Sequence, residues 1–328
     1  MRRQPHSPRR CRRFADPGWE FGYSVLKAFI LRNRARSIDN AIAVTNARGG
    51  VLKTSLVANI AGLAAQGGWR VLVIDADPQG SLVYDFVVAD TADHGQHLAS
   101  VIESGNLPVP VASGRQNLDM IAGGRFLEPV STQLAAAGAI DLAARERLID
   151  TLQPISTNYD LVLFDTPPVD AGIRRLIGSV ARFTIVPTAP DAASIEGLRN
   201  LLSDQERFEA LDPRNELLVV TLGPVAANTS QLRRDARRRL AQIFDRYVPV
   251  AMATIRAAQK VAVDCRNRGQ LVIEYEAEAT SRSRRRTSGR TYASAAIGLA
   301  DDYHALTDEI LARFVDRRTT PDHVSVYP

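Results

Sequence analysis

Cysteine is scarce: the 328 residues contain two, Cys11 and Cys265. They lie far apart and without ligand-like spacing, which argues against a disulfide framework, a zinc site or an iron–sulfur cluster and points to a reducing cytoplasm. Long apolar runs are also missing. No stretch approaches the eighteen or so residues a membrane span needs, and Val25–Leu31 is interrupted by Lys27, so it reads as neither a span nor a signal-peptide core. No internal repeat is visible. What remains is an ordinary globular composition, 45% hydrophobic and 23% charged, in a length that suits one large α/β domain or two small ones.

Charge is unevenly placed. Residues 1–40 hold ten Lys or Arg against three acids, a net +7, so the remaining residues, with 31 bases and 33 acids, carry −2. The head, with Arg2, Arg3, Arg9, Arg10, Arg12 and Arg13 among Pro, Ser and Gln, has the composition of a disordered extension. It reads either as an arm for polyanions or as a solvated tail from an over-extended start.

From Ala41 the texture becomes α/β. A short apolar run, Ala41–Thr45, leads into Asn46-Ala47-Arg48-Gly49-Gly50. Apolar residues then recur at helical spacing (Val57, Ile60, Ala61, Ala64) until Gly67-Gly68, and Val71–Ile74 reads as a buried strand ending at Asp75. Further strands are expected at Leu118–Ile121, Leu161–Phe164, Phe183–Val186 and Leu217–Leu222. Helices are expected at Thr132–Leu152, Ile195–Leu202, Leu232–Tyr247 and Tyr292–Val315. Continuous apolar strands alternating with helices imply a mostly parallel, doubly wound sheet covered on both faces, the P-loop NTPase type of fold. Residues 41–316 are read as one domain, 317–328 as a polar tail, and the Arg/Ser-rich stretch within 279–291 as an exposed loop.

In such sheets ligands bind beyond the carboxyl ends of the strands, and three strands here end in polar loops, at Asn46, Asp75 and Asp165. Arg48-Gly49-Gly50-Val51-Leu52-Lys53-Thr54-Ser55 joins a strand to a helix. A glycine loop of this kind offers unpaired N–H groups and a helix dipole to phosphate, with a Lys for the β/γ-phosphates and a hydroxyl for Mg²⁺. It departs from the general G-x-x-x-x-G-K-[ST] pattern, because Ala47 and Leu52 stand where glycines belong.

The segment resembles instead the deviant Walker A motif of the ParA/MinD family, with Arg48 replacing the first lysine. Asp75-Ala76-Asp77-Pro78-Gln79-Gly80 is similar to that family's D-x-D-P-Q-G segment, and Tyr159–Pro168 to its Walker B strand and loop. Pro187–Pro190 with Ile195–Leu198 resembles the next block. The resemblance runs in order from about Ala41 to Tyr275. It implies ATP and Mg²⁺ as cofactors, Lys53 on phosphate, Thr54, Asp165 and Asp77 about the metal, and Lys53, Arg48 and Asp77 as catalytic residues, Asp77 positioning or activating the attacking water. It also implies a nucleotide-dependent homodimer in which Arg48 reaches the partner's phosphates. Arg is longer and more planar than Lys. If position 52 needs a glycine-only backbone, Leu52 costs about 1–3 kcal/mol, which would weaken a micromolar site roughly ten- to hundred-fold. Weak ATP hydrolysis and a degenerate, nucleotide-regulated DNA-binding or adaptor role are the two expectations.

The Asp-Pro-Gln-Gly block resembles the ParA/Soj partition branch. That branch implies non-specific DNA, a ParB-like centromere-binding partner, action in plasmid or chromosome partition, and a cytoplasmic, nucleoid-associated place with no membrane. Phosphate neutralisation supplies most non-specific DNA affinity. Arg233, Arg234, Arg237 and Arg238, with Arg239 beside them, crowd one helix with only Asp235 opposing, as a DNA patch or a solvated face. Arg256, Lys260, Arg266 and Arg268 form a weaker second candidate.

Overall fold

Every expected strand is present, and buried apolar residues fill both faces of the central ones. The computed structural model describes residues 37–226, 230–243, 249–283 and 290–319. The N-terminal arm, the Arg/Ser-rich stretch 284–289 and the tail from 320 lie outside those residues. The chain divides after Arg36, and the second unit is the α/β domain. Its first strand, β1 (Ile38–Val44), begins inside the stretch assigned by composition to the extension.

Strands β2 (Val71–Asp75), β3 (Val111–Ala112), β4 (Leu118–Ile121), β5 (Leu161–Asp165), β6 (Ala181–Thr188), β7 (Glu216–Val225) and β8 (Val250–Arg256) complete one sheet. Its order is β3-β4-β2-β5-β1-β6-β7-β8. All pairings are parallel except β3 with β4. Alternate residues feed two layers. Ile42, Val44, Val73 and Leu163 face the helix α1 (Lys53–Gln66), whereas Ala43, Leu72, Ile74 and Phe164 face the opposite side. Each such fully buried aliphatic or aromatic side chain contributes about 1.5–3 kcal/mol.

Between β2 and β4 lie the short α2 (Leu82–Asp85) and α3 (Gln96–Ser104). The single helix expected over Thr132–Leu152 is two, α4 (Glu128–Ala137) and α5 (Leu142–Ser156). Gly138 sits at φ +66 and ends the first, and the Asp141 carboxylate caps the second by accepting from the N–H of Ala143 and Ala144. Both residues are standard stop and start signals. α6 (Ala171–Val180), α7 (Ala192–Glu196) and α8 (Arg199–Leu211) follow, and then α9 (Ser230–Ile243). α10 (Gln259–Arg268) and α11 (Val272–Ser283) were not foreseen, so Ala279–Ser283 end a helix rather than form a loop. The last helix, α12, runs over Arg290–Thr319, into the stretch read as tail.

β8 was missed too, and it is an edge strand. Side chains occupy its outer backbone. Arg237 donates to the carbonyls of Ala251 and Met252, and Glu309 accepts from the N–H of Met252 and Ala253. Asp302 accepts from the Arg256 N–H at 2.9 Å. Such cover protects an edge from pairing with another chain.

Candidate nucleotide site

Register brings the site together. β2, β5 and β1 are neighbours, Asp75 pairs with Asp165, and Asp165 pairs with Val44. The two carboxylates and the start of the glycine loop therefore stand at one height, at the carboxyl ends of the three strands. The Ala76 N–H donates to the Asp165 carbonyl and the Thr166 hydroxyl to the Val44 carbonyl, both lacing strand ends together.

Asn46 anchors the base of the loop. Its amide donates to the Pro187 carbonyl at 2.7 Å, while its Oδ1 accepts from the Arg48 N–H at 2.9 Å. Gly50 lies at φ +75, and a Cβ at Gly49 or Gly50 would meet nothing within 4 Å. Val51 is buried and tethers the loop to the core. Leu52 lies at φ 69, ψ 18, the left-handed conformation that disfavours any side chain but glycine's. The loop thus keeps the backbone a glycine would give it, at a strain of about 1–2 kcal/mol. Its side chain leans onto β7, where a Cβ at Gly223 would come within 3.1 Å of Leu52 Cδ1, and packs on the rim of the core.

Lys53 opens α1 and is 6% exposed. Its Nζ donates to the Arg48 carbonyl at 2.9 Å. Burial draws its pKa down to about 8 against the opposing pull of Asp165 and Asp77, with Arg174 adding a small further reduction. Thr54 follows, half-buried, and Ser55 accepts through its carbonyl from Asn59.

Asp165 is 1% exposed, and neither carboxylate oxygen has a hydrogen-bond partner among the described residues. Burial raises its pKa, and the nearby Thr54 hydroxyl, the neighbour that most opposes the rise, does not cancel it. Asp75 is completely buried and accepts from the N–H of Asp77 and Leu82. Burial, then the charge of Asp165, raises it well above the usual carboxylate range. Asp77 is more open and caps its own turn, accepting from the Gln79 N–H at 2.9 Å, and burial raises it too. This turn packs tightly: a Cβ at Gly123 would come within 2.6 Å of the Asp77 carbonyl.

Lys53, Thr54, Asp77 and Asp165 thus converge, while Arg48 stands apart. It is half-exposed and pairs at 3.2 Å with Asp191, which caps α7 through the Ser194 N–H. Sequence reasoning named the motif residues but missed Asn46 as the anchor of the loop, Asp191 and the supporting Gly123; their signals are an Asn at a strand end, an Asp before a helix and a paired Gly-Gly.

The basic candidates fare unequally. Arg234 and Arg238 are exposed on α9, Arg234 donating to Gln231 and Arg238 lying 3.7 Å from Asp235. Arg233 and Arg237 are partly buried, and Arg237 is held by β8. In the second candidate, Arg256 pairs with Asp302, Arg266 with Asp85 and Arg268 with Glu278, so that face is largely neutralised.

No helix among the described residues is long and apolar enough to cross a membrane. The profile of the AAA domain family matches residues 39–218. Sporulation initiation inhibitor protein Soj of Bacillus subtilis is 32% identical over 168 residues, 49% of this chain and 63% of that protein. The chain thus spans less than two thirds of that relative. Chromosome partitioning protein ParA of Caulobacter vibrioides is 30% identical over 218 residues, 63% of this chain and 79% of that one. Among solved structures, apo McdA of Cyanothece superposes with a TM-score of 0.62 at 19% identity, over 81% of this chain and 99% of that one. An ATP complex of McdA gives the same score. These two likenesses show a shared fold. The chain belongs to the AAA domain family and, within it, to the ParA/MinD-type proteins on the ParA/Soj side.

Proposed function

We propose that this chain is a partition ATPase of the ParA kind, which binds Mg-ATP at the strand ends, dimerises on it and holds DNA without sequence preference. The observation that carries the nucleotide reading is Asp165, whose two buried oxygens make no close hydrogen bond among the described residues and lie near a buried lysine and the Thr54 hydroxyl. A buried, unpaired carboxylate is costly unless a cation answers it. Hard oxygen donors suit magnesium, which keeps water and phosphate oxygens and needs only one or two protein ligands. Among the described residues no cluster of three His, Cys, Asp or Glu forms a metal cage, in keeping with such a site. Thr54 and Asp165 would hold the ion, whose role is to neutralise charge on the phosphates.

The rest falls to the chain's own groups, since phosphoryl transfer depends mainly on positioning and charge. The loop N–H groups and Lys53 bind phosphate oxygens. Asp77, more open than Asp165, orients the attacking water. Arg48 is free to leave Asp191 for a second copy, because an ion pair exposed on both sides is weak and screened by salt. DNA contact falls to Arg234 and Arg238, with Arg239 beside them, rather than to Arg237, and a ParB-like protein would be the trigger. One observation favours a slower variant of this reading: Leu52 and Arg48 replace the two residues most tied to turnover, although the backbone shape at Leu52 is kept.

The test is ATP turnover with and without DNA and the partner, beside a salt titration of DNA affinity. Neutralising Arg234, Arg238 and Arg239 should weaken binding at every sequence and flatten its salt dependence. Deletion of the arm must stop at Arg36, because Ser37 is part of the fold, and should have the smaller effect. If the truncation abolishes binding and the arginine variant binds like wild type, the arm is the DNA contact.

A further inference from the structure

On the face of the sheet opposite α1 lies a cavity of about 10 Å³ between the end of β1, β6, α6 and α8. Three of the residues that line it, Thr45, Thr184 and Arg174, each carry a buried polar atom with no hydrogen-bond partner among the described residues: Thr45 Oγ1, Thr184 Oγ1 and Arg174 Nε. The three residues are 3%, 2% and 7% exposed. Buried polar atoms are nearly always paired, so three orphans around one space call for a common partner. The space suits a single water, which needs two to four polar neighbours.

The donors and acceptors balance. Arg174 Nε–H can only donate, while each threonine hydroxyl can donate or accept. One water accepts from Arg174 and from one threonine, and donates to the other. An anion fits less well, since Asp204 already lies 3.6 Å from the Arg174 guanidinium and accepts from Arg175 Nε at 2.8 Å, and the space is small.

We propose that Thr45, Thr184 and Arg174 bind one internal water, which ties the residue that follows β1, just ahead of the phosphate loop, to helix α6. Thr45 already donates its N–H to the Ile185 carbonyl. α6 begins at the end of the loop that follows Asp165, where the Asp170 carboxylate accepts from the Ile173 N–H. The water therefore joins the loop that carries Lys53 to the loop that follows the metal carboxylate, and makes Thr184 and Arg174 positioning residues.

The test compares the full chain with Thr184→Val, which keeps the shape and loses the hydroxyl, and Thr184→Ser, which keeps the hydroxyl. Crystal structures resolving ordered water should show one within hydrogen-bond distance of all three atoms in the wild type and in Thr184→Ser, and none in Thr184→Val. Tm should fall by about 2–4 °C in the valine variant and by less in the serine variant. A second arm rests on the nucleotide reading: Mg-ATP affinity should weaken about two- to tenfold in Thr184→Val alone. A dry cavity in the wild type, a direct bond between the two threonines, or a water that persists in Thr184→Val overturns the proposal. A wild-type chain that fails to bind Mg-ATP at all would sink the nucleotide reading while the water, read crystallographically, still decides this one.

Discussion

The two ends of the same sheet are built on opposite terms. At the amino ends of the strands, buried polar groups answer one another. Asp212 accepts from the N–H and hydroxyl of Ser37 and from Arg214, which also reaches Asp39. Asn215 donates to the carbonyls of Gly178 and Ala181, and Asn40 to those of Ser156 and Tyr159. At the carboxyl ends, Asp165 is buried with both oxygens unanswered, Leu52 is left-handed and Lys53 is desolvated. The satisfied end supplies stability that the unsatisfied end spends, and under the proposed function the unpaired charge there is what a ligand would answer.

Breaking the satisfied end should have the largest effect. Asp212→Ala should lower unfolding free energy by about 2–3 kcal/mol, because it leaves the buried Ser37 hydroxyl and N–H without their acceptor and Arg214 with Asp39 alone; urea denaturation would show it, and nucleotide affinity should not move. Burial alone would raise the Asp212 carboxyl, but hydrogen bonds from Arg214 and Ser37 outweigh it and hold the pKa below the usual value. A depressed carboxylate stabilises the fold above its unfolded pKa of about 3.9 and loses that contribution as pH falls through the folded value. Wild type should therefore lose stability more steeply than Asp212→Ala on acidification below pH ~4, and parallel acid curves would count against the tie.

At the other end, Lys53→Ala should cost on the order of 100-fold in Mg-ATP affinity by calorimetry; retained affinity would remove the lysine from the site. Asp77→Ala should bind as wild type yet release phosphate about 100-fold more slowly or worse, and lengthen the life of any dimer. Normal turnover in that variant would refute its role on water. Asp165→Asn should sharpen the contrast: the nucleotide-free chain gains about 1–2 kcal/mol through loss of a stranded charge, while magnesium no longer affects nucleotide binding. A fall in Tm would contradict it.

Leu52→Gly should do least. The chain holds the left-handed backbone with Leu52 in place, so relief of that strain by glycine is offset by lost burial against Gly223. Stability should stay within about 1 kcal/mol of wild type and affinity within about threefold. A tenfold tightening would mean that Leu52 crowds the phosphates after all, as the sequence alone suggested.

Much of this was legible in the residues themselves. Apolar strand cores, the glycine loop, and acids placed after Ile74 and Phe164 are local patterns, since strand burial and loop chemistry depend on near neighbours in the chain. Gly138 and Asp141 carried the break between α4 and α5, yet an alanine-rich stretch hid it. β8 escaped because its apolar run is short, and the side chains that cover its outer backbone come from α9 and from the distant α12. The sequence by itself thus determined the fold class and the order of the motifs. Tertiary structure alone decided that Asp75 and Asp165 share one register, that Arg237 serves a strand edge, that Arg48 rests on Asp191 and that Asp165 is left unpaired. Each of those facts is a pairing or a burial between distant segments, and only packing fixes such pairs.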